Sequence, residues 1–165
     1  MQLRLMTEND LQQVLELQRE LAFQDWNEKQ FLSEIRASYA YCVVCESSEA
    51  TDGNSLGQIP NGTLLGYAIF HLLGPDSELL SIATRGTEQR KGIGTQLLKA
   101  GLDKLTNDDD QCFLEVRDGN TKARNFYEKH GFKLYNIRKK YYSDGEDAAL
   151  YKYTKSLGKA TKKTL

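Results

Sequence analysis

Residues 81–98 read SIATRGTEQRKGIGTQLL, and the reading of this stretch decides the fold. An apolar, β-rich run, Leu79-Leu80-Ser81-Ile82-Ala83-Thr84, stops at a polar turn containing Gln89-Arg90-Lys91-Gly92-Ile93-Gly94. A helical apolar pattern then starts at Ile93 and continues through Leu97, Leu98 and Leu102. Strand, glycine-rich turn and helix follow one another. Such a turn leaves backbone N–H groups at a helix N-terminus with the positive end of the helix dipole behind them, an arrangement suited to an anion. Gly92 and Gly94 are expected to take φ above zero and to let the backbone approach a ligand. Arg90 and Lys91 add positive charge at the rim. The spacing matches neither the dinucleotide fingerprint nor the P-loop, and an ordinary strand-to-helix turn would read the same way.

Downstream, residues 107–110 form an acidic turn expected to be solvated, and QCFLEV, residues 111–116, reads as a buried strand carrying one carboxylate, Glu115. Asp118-Gly119-Asn120 makes a turn, residues 121–130 a helix closed by Gly131, and residues 133–142 and 148–154 two strands joined by residues 143–147. Upstream lie strands at residues 3–6, 39–46 and 63–73, with a long, Ser/Gly/Asn/Asp-rich loop over 47–62 that is expected to be mobile. Thr7 can cap a helix whose face is Leu11, Val14, Leu15, Gln18 and Leu21. Asn27, with Gln30 in the capping-box position, starts a second helix to about residue 38, whose stripe is Phe31, Leu32 and Ile35. Phe23 and Trp26, in the connection between these helices, fit either core packing or a substrate groove. The predicted order is β-α-α-β-β-β-α-β-α-β-β: an α/β (α+β) domain with a mixed central sheet of about seven strands and helices on both faces.

The 165 residues suit one domain, over 1–154, followed by a basic tail at 155–165 with four lysines and no acid. A net charge of −1 gives no global basic field for nucleic acid. The first ten residues lack the apolar core of a secretion signal, and the longest apolar stretch, residues 64–73, is too short to span a bilayer as a helix. A soluble, cytoplasmic protein that engages neither membrane nor nucleic acid is expected, as a monomer or weak dimer. The three cysteines are an odd number, and Cys42 and Cys45, three apart on a strand, point to opposite faces; buried inert thiols are expected, and no metal site.

Several stretches resemble the GCN5-related N-acetyltransferases (GNAT superfamily). Q-x-x-G-x-G after a strand is similar to their acetyl-CoA pyrophosphate motif, and the predicted element order is that of their fold. Residues 113–132 resemble the pattern L-E-V-R-x-x-N-x-x-A-x-x-x-Y-x-x-x-G-F of the ribosomal-protein alanine N-acetyltransferases (RimI type). RKKYY at 138–142 with DGEDA at 144–148, and WNEKQF at 26–31, are similar to further motifs of that group. One departure stands out: where the pattern before the turn is V-x-P-x-x-Q-x-x-G, this chain has Arg85 and Gly86 in place of the stiff segment.

The resemblance implies acetyl-CoA as cosubstrate and a protein or peptide N-terminus, such as that of a ribosomal protein, as acceptor. Ile82, Ala83 and Thr84 would present backbone groups to the pantetheine arm, and the amides of Gln89, Arg90, Lys91, Gly92, Ile93, Gly94 and Thr95 would line the pyrophosphate. Asn120 would be a further cofactor contact. Glu115 is the candidate base, made stronger by partial burial between Leu114 and Val116. Tyr127 is the candidate acid for the leaving thiolate, with Tyr142 in reserve. Phe23, Trp26, Tyr141 and Tyr142 would flank the peptide, and Glu146 and Asp147 could favour a basic residue along it. Without a Ser/His/Asp or Cys/His set, direct attack in a ternary complex is expected. The alternatives are acetylation of a lysine side chain or small-molecule amine, and a noncatalytic acetyl-CoA-binding module.

Overall fold

The structure, a computed structural model, describes residues 1–22, 26–48 and 62–156. Its elements follow the expected order: β1 (Gln2–Leu5), α1 (Leu11–Leu21), α2 (Glu28–Arg36), β2 (Ala40–Glu46), β3 (Leu64–His71), β4 (Asp76–Thr84), α3 (Ile93–Leu102), β5 (Gln111–Arg117), α4 (Thr121–Lys129), β6 (Lys133–Arg138) and β7 (Ala148–Thr154). The seven strands form one mixed sheet, ordered β1-β2-β3-β4-β5-β7-β6. Packing divides the chain into two compact units, residues 1–72 with 79–101 and residues 73–78 with 102 onward. Phe23, most of the 47–62 loop and the tail beyond 156 lie outside the described residues.

In the first unit β1, β2 and β3 pair antiparallel, with Leu3 opposite Cys45 and Cys42 opposite Ile69. Helices cover both faces. On one, Val14 and Leu17 of α1 and Phe31 of α2 pack with Cys42, Val44, Tyr67 and Ile69. Each such large side chain, fully buried, stabilises the fold by about 1.5–3 kcal/mol. The other face receives α3, which lies so close that a Cβ on Gly66 would stand 3.0 Å from Leu97 and 3.2 Å from Ile93, besides meeting the Ala83 carbonyl oxygen of β4 at 2.6 Å. A Cβ on Gly101 would run into the Phe70 ring. Gly66 on β3 and Gly101 on α3 thus set the distance between the two elements, and with it the position of the turn that precedes α3.

Local chemistry explains the helix starts. Asn27 Oδ1 accepts from the Gln30 N–H (3.1 Å) and Gln30 Oε1 from the Asn27 N–H (2.9 Å), the expected capping box. Thr7 instead opens a short 3₁₀ turn ahead of α1. The buried carboxylate of Asp10 collects the Thr7 N–H and hydroxyl and two bonds from Arg4 there. The neck of the long loop is closed, since the Ser47 N–H donates to Thr63 and the Gly62 N–H to Ser47.

In the second unit β5 runs parallel to the start of β4, Asp76 opposite Gln111, and antiparallel to β7 along its whole length. β6 is the edge strand. α4 covers one face, where Tyr127 packs against Phe132 and Tyr151 with ring centroids 5.7 and 6.5 Å away. The acidic turn at 107–110 is not simply solvated: Asp110 is buried and accepts the N–H groups of Thr106 and Asn107, each at 2.9 Å. β6 is shorter than expected, ending at Arg138 rather than Tyr142. Asp147 takes the Lys140 N–H at 2.8 Å and the Lys139 ammonium at 2.7 Å, and Lys140 sits at φ +52°, which breaks the strand.

Candidate active site

The first unit carries the glycine turn. Along β4 the side chains alternate, with Ser81 and Ala83 buried and Ile82 and Thr84 half-buried. Beyond Thr84 a 3₁₀ turn, Gly86–Glu88, leads to Gln89. Two left-handed residues follow, Arg90 at φ +64° and Gly92 at φ +86°, and α3 begins at once. The Gln96 N–H to Gly92 carbonyl bond (3.0 Å) is the first of the helix, so the N–H groups of Ile93 and Gly94 precede it. Open space surrounds the position a Gly92 Cβ would take. Backbone bends of this kind ahead of a helix gather N–H groups around an anion, so the turn fits a pyrophosphate.

Two expectations are corrected here. Gly94 is the second residue of α3 and not left-handed, since helical geometry already holds it; the second left-handed residue is Arg90. A left-handed conformation costs a non-glycine residue about 1–2 kcal/mol, and such strain gathers at functional sites. Lys91 does not stand at the rim as an unengaged cation. Both oxygens of the buried Glu88 carboxylate hold its ammonium, at 2.9 and 3.1 Å.

The second unit carries the candidate acid and base. On β5, Cys112, Leu114 and Val116 are buried while Glu115 is exposed. The carboxylate of Glu115 is therefore not set between its apolar neighbours, because strand alternation turns it to the opposite face. There it accepts Nη1 of Arg138 at 2.6 Å. The Tyr141 hydroxyl also bonds Glu115, and that bond and the carboxylate's charge hold the Tyr141 phenol above its ordinary value. The Arg138 guanidinium lies 4.7 Å from the Tyr141 ring centroid. Beside this group, Arg117 stacks on Tyr142 at 4.1 Å. Burial, then the Glu115 charge, pushes the half-buried Tyr142 phenol up.

Tyr127 stands on the α4 side. It is buried, and burial, then the neighbouring Cys112 and Tyr142, raises its phenol above the ordinary value. It contacts Tyr151, which pairs with Leu114, whereas Glu115 points the other way. The acid and base candidates thus come from opposite faces of the β5–β7–β6 sheet. Asn120 is the N-cap of α4, its side-chain oxygen accepting the Ala123 N–H at 3.1 Å.

Among the proposed substrate residues, Tyr141 is exposed and meets Tyr142 edge-on at 5.2 Å. Trp26 packs toward the first unit's core, 5.3 Å from Phe31, and the buried Gln18 clips its backbone, accepting its N–H and donating to its carbonyl. Glu146 and Asp147 are engaged internally. Glu146 pairs with Arg117 at 2.6 Å and accepts the Gly119 N–H, and Asp147 holds the Lys139–Lys140 bend. Neither is poised to select a basic residue.

Arg138, which donates to Glu115, and Glu20, which accepts from Arg85 and Gly86, carry no sequence signal as functional residues. Arg138 appeared only inside the RKKYY motif, and Glu20 looks like any exposed helix carboxylate. The three described cysteines are buried, the Cys42 thiol pushed up to about 12 by burial and then by Glu34. Among the described residues no group of His, Cys, Asp or Glu could hold a metal, and no helix is long and apolar enough to cross a membrane.

The family model of the acetyltransferase (GNAT) family matches residues 11–132. The chain belongs to that family, as the motifs implied. An N-alpha-acetyltransferase of Saccharolobus solfataricus is 45% identical over 74 residues, 44% of each chain. The match thus spans less than half the length of that curated relative. A putative [ribosomal protein bS18]-alanine N-acetyltransferase of Bacillus subtilis is 27% identical over 144 residues, covering 86% of this chain and 87% of that one. The crystal structure of the ribosomal-protein-S18-alanine N-acetyltransferase from Escherichia coli superimposes with a TM-score of 0.76 at 26% identity, over 97% of each chain.

Proposed function

We propose that the chain transfers the acetyl group of acetyl-CoA to the α-amine of a protein N-terminus, with an alanine-starting ribosomal protein as the acceptor, in the cytoplasm, and that residues 1–154 act as one catalytic domain. The observation that carries this reading is the placement of Glu115 and Tyr127 on opposite faces of one sheet. The exposed carboxylate sits among tyrosines on one face and the buried neutral phenol on the other. A base that meets an incoming amine and an acid that meets a departing thiolate are needed on opposite sides of the acyl carbon. The family membership and the names of the relatives support the same reading.

Acetyl-CoA supplies an activated acyl thioester. The turn at residues 89–95 would hold its pyrophosphate through backbone N–H groups, and Ile82, Ala83 and Thr84 would offer strand-edge groups to its arm. Glu115 takes the proton that the substrate ammonium loses, directly or through one water. The amine nitrogen forms its bond to the acyl carbon, and the carbon–sulfur bond breaks. Tyr127 gives its proton to the leaving sulfur, and the second proton that the nitrogen sheds as the amide forms returns through water to restore the phenol. A protein α-amine, with a pKa of about 7.7–8.0, is far easier for one carboxylate to deprotonate than a lysine near 10.4. Tyr141 and Tyr142 would flank the peptide.

A panel of peptides differing in their first residue, each incubated with acetyl-CoA and a thiol reagent, tests the proposal. Thiol release with alanine-starting peptides is expected. Acetyl-CoA binding without thiol release for any amine would make the chain a noncatalytic binding module. Release only with small amines would move the acceptor to that class.

A further inference from the structure

We propose that Glu20 is a positioning residue for the phosphate turn, holding from α1 the segment that a proline would stiffen from within; the inference rests on reading residues 89–95 as the pyrophosphate site. Glu20 Oε1 accepts the Gly86 N–H at 3.1 Å and Oε2 accepts Arg85 Nη1 at 2.8 Å. Arg85 is anchored again by β3: its N–H donates to Leu65 at 2.8 Å and its Nε to the Leu64 carbonyl at 3.2 Å. Two neighbouring elements therefore grip the two residues that link β4 to the turn.

The grip sits where the backbone most needs one. Gly86 has the greatest conformational freedom to lose, and it opens the 3₁₀ turn that aims Gln89 and Arg90. The Glu20 carboxylate satisfies the first N–H of that turn. The exposed Glu20–Arg85 ion pair adds little to global stability, so its consequence is local orientation.

Proline at position 86 would do the same work by other means. It suits the first residue of a helical turn. Arg85, at φ −48° and ψ +136°, already has the conformation favoured before proline, and Gly86 is not left-handed. Proline has no N–H, however, and its ring would occupy the space in which Glu20 Oε1 now meets the Gly86 nitrogen. Glu20 and a proline at 86 are alternative, mutually exclusive solutions.

Coenzyme A affinity by calorimetry and steady-state kinetics on Glu20→Ala, Glu20→Gln, Gly86→Pro and the Glu20→Ala/Gly86→Pro double variant test this. Glu20→Ala should raise the Kd for coenzyme A and the KM for acetyl-CoA by about 3- to 10-fold, with kcat and the peptide KM nearly unchanged. Glu20→Gln, which keeps the acceptor for the Gly86 N–H, should recover part of the loss. Gly86→Pro alone should weaken binding, and the double variant should bind nearly as the original chain does. An unchanged Kd in Glu20→Ala, or a double variant no better than either single one, would overturn the inference. Gly92→Val separates the two levels. If it too leaves coenzyme A affinity intact, the phosphate-turn reading fails; if it weakens binding while Glu20→Ala does not, only the role of Glu20 is lost.

Discussion

Arg138 on the edge strand β6 reaches across β7 to place Nη1 2.6 Å from a carboxylate oxygen of Glu115 on β5. The contact gives Glu115 a fixed direction on an exposed face and a cationic neighbour. The same carboxylate can meet a second cation, the ammonium of an incoming peptide, and Tyr141 completes the cluster.

Replacing Glu115 by Gln removes the base and keeps the shape. At neutral pH, kcat/KM for an alanine-starting peptide should fall by about 10²-fold. The deficit should shrink toward pH 9–10, where the α-amine (about 7.7–8.0) is already neutral. A pH–rate profile of the variant parallel to that of the original chain would remove Glu115 from proton transfer.

Tyr127→Phe deletes one hydroxyl from an aromatic cluster that should otherwise keep its packing. If that hydroxyl protonates the thiolate, kcat should drop by about 10²-fold with little change in either KM. Because burial raises the Tyr127 phenol, the donor stays protonated below its ordinary value of about 10, and kcat should show no alkaline loss from this group in that range. A near-normal kcat in the variant would transfer the role to Tyr142 or water.

The two glycines of the turn should behave differently. Gly92, at φ +86°, should lose at least about tenfold in acetyl-CoA affinity on change to Ala, because a left-handed alanine costs about 1–2 kcal/mol. Gly94→Ala, inside α3, should leave the apo fold as stable or more so, and any loss of affinity there would report only a clash with the ligand. Calorimetry with coenzyme A and chemical denaturation of both variants would separate these cases.

Tyr67 sits in the core under α2, 5.8 Å from Phe31, and burial pushes its phenol up to about 12, against a smaller opposing pull from its bond with Ser81. Its folded value lies above the unfolded one of about 10. Its contribution is therefore whole below pH 10 and is lost as the pH rises through about 12. Denaturation midpoints should stay level on this account to about pH 9 and fall beyond pH 10. Phenolate absorbance from this residue should appear at about pH 12 in the folded chain and at about pH 10 once it is unfolded.

Element order and most strand and helix positions were legible because each rests on a local cause. Alternation on β5 and β7, the Asn27–Gln30 capping box and the glycine turn before α3 all act within a few residues. Side-chain partnerships between distant segments were not legible. That Glu115 faces Arg138 depends on which face of β5 is open and on the register of β6 against β7. That Lys91 answers to Glu88 depends on an unforeseen 3₁₀ turn. The early end of β6 follows from Asp147 capturing Lys139 and Lys140, and the left-handed Arg90 has no compositional sign, since glycine is the residue that announces such geometry.

The measurement that bears most directly on the account is mass spectrometry of a single peptide that starts with alanine and contains an internal lysine, after incubation with the full chain and acetyl-CoA at neutral pH. The account predicts one acetyl group, on the alanine α-amine, with the Glu115→Gln chain adding it far more slowly. Acetylation confined to the lysine, or absent from both amines while coenzyme A still binds, would contradict it.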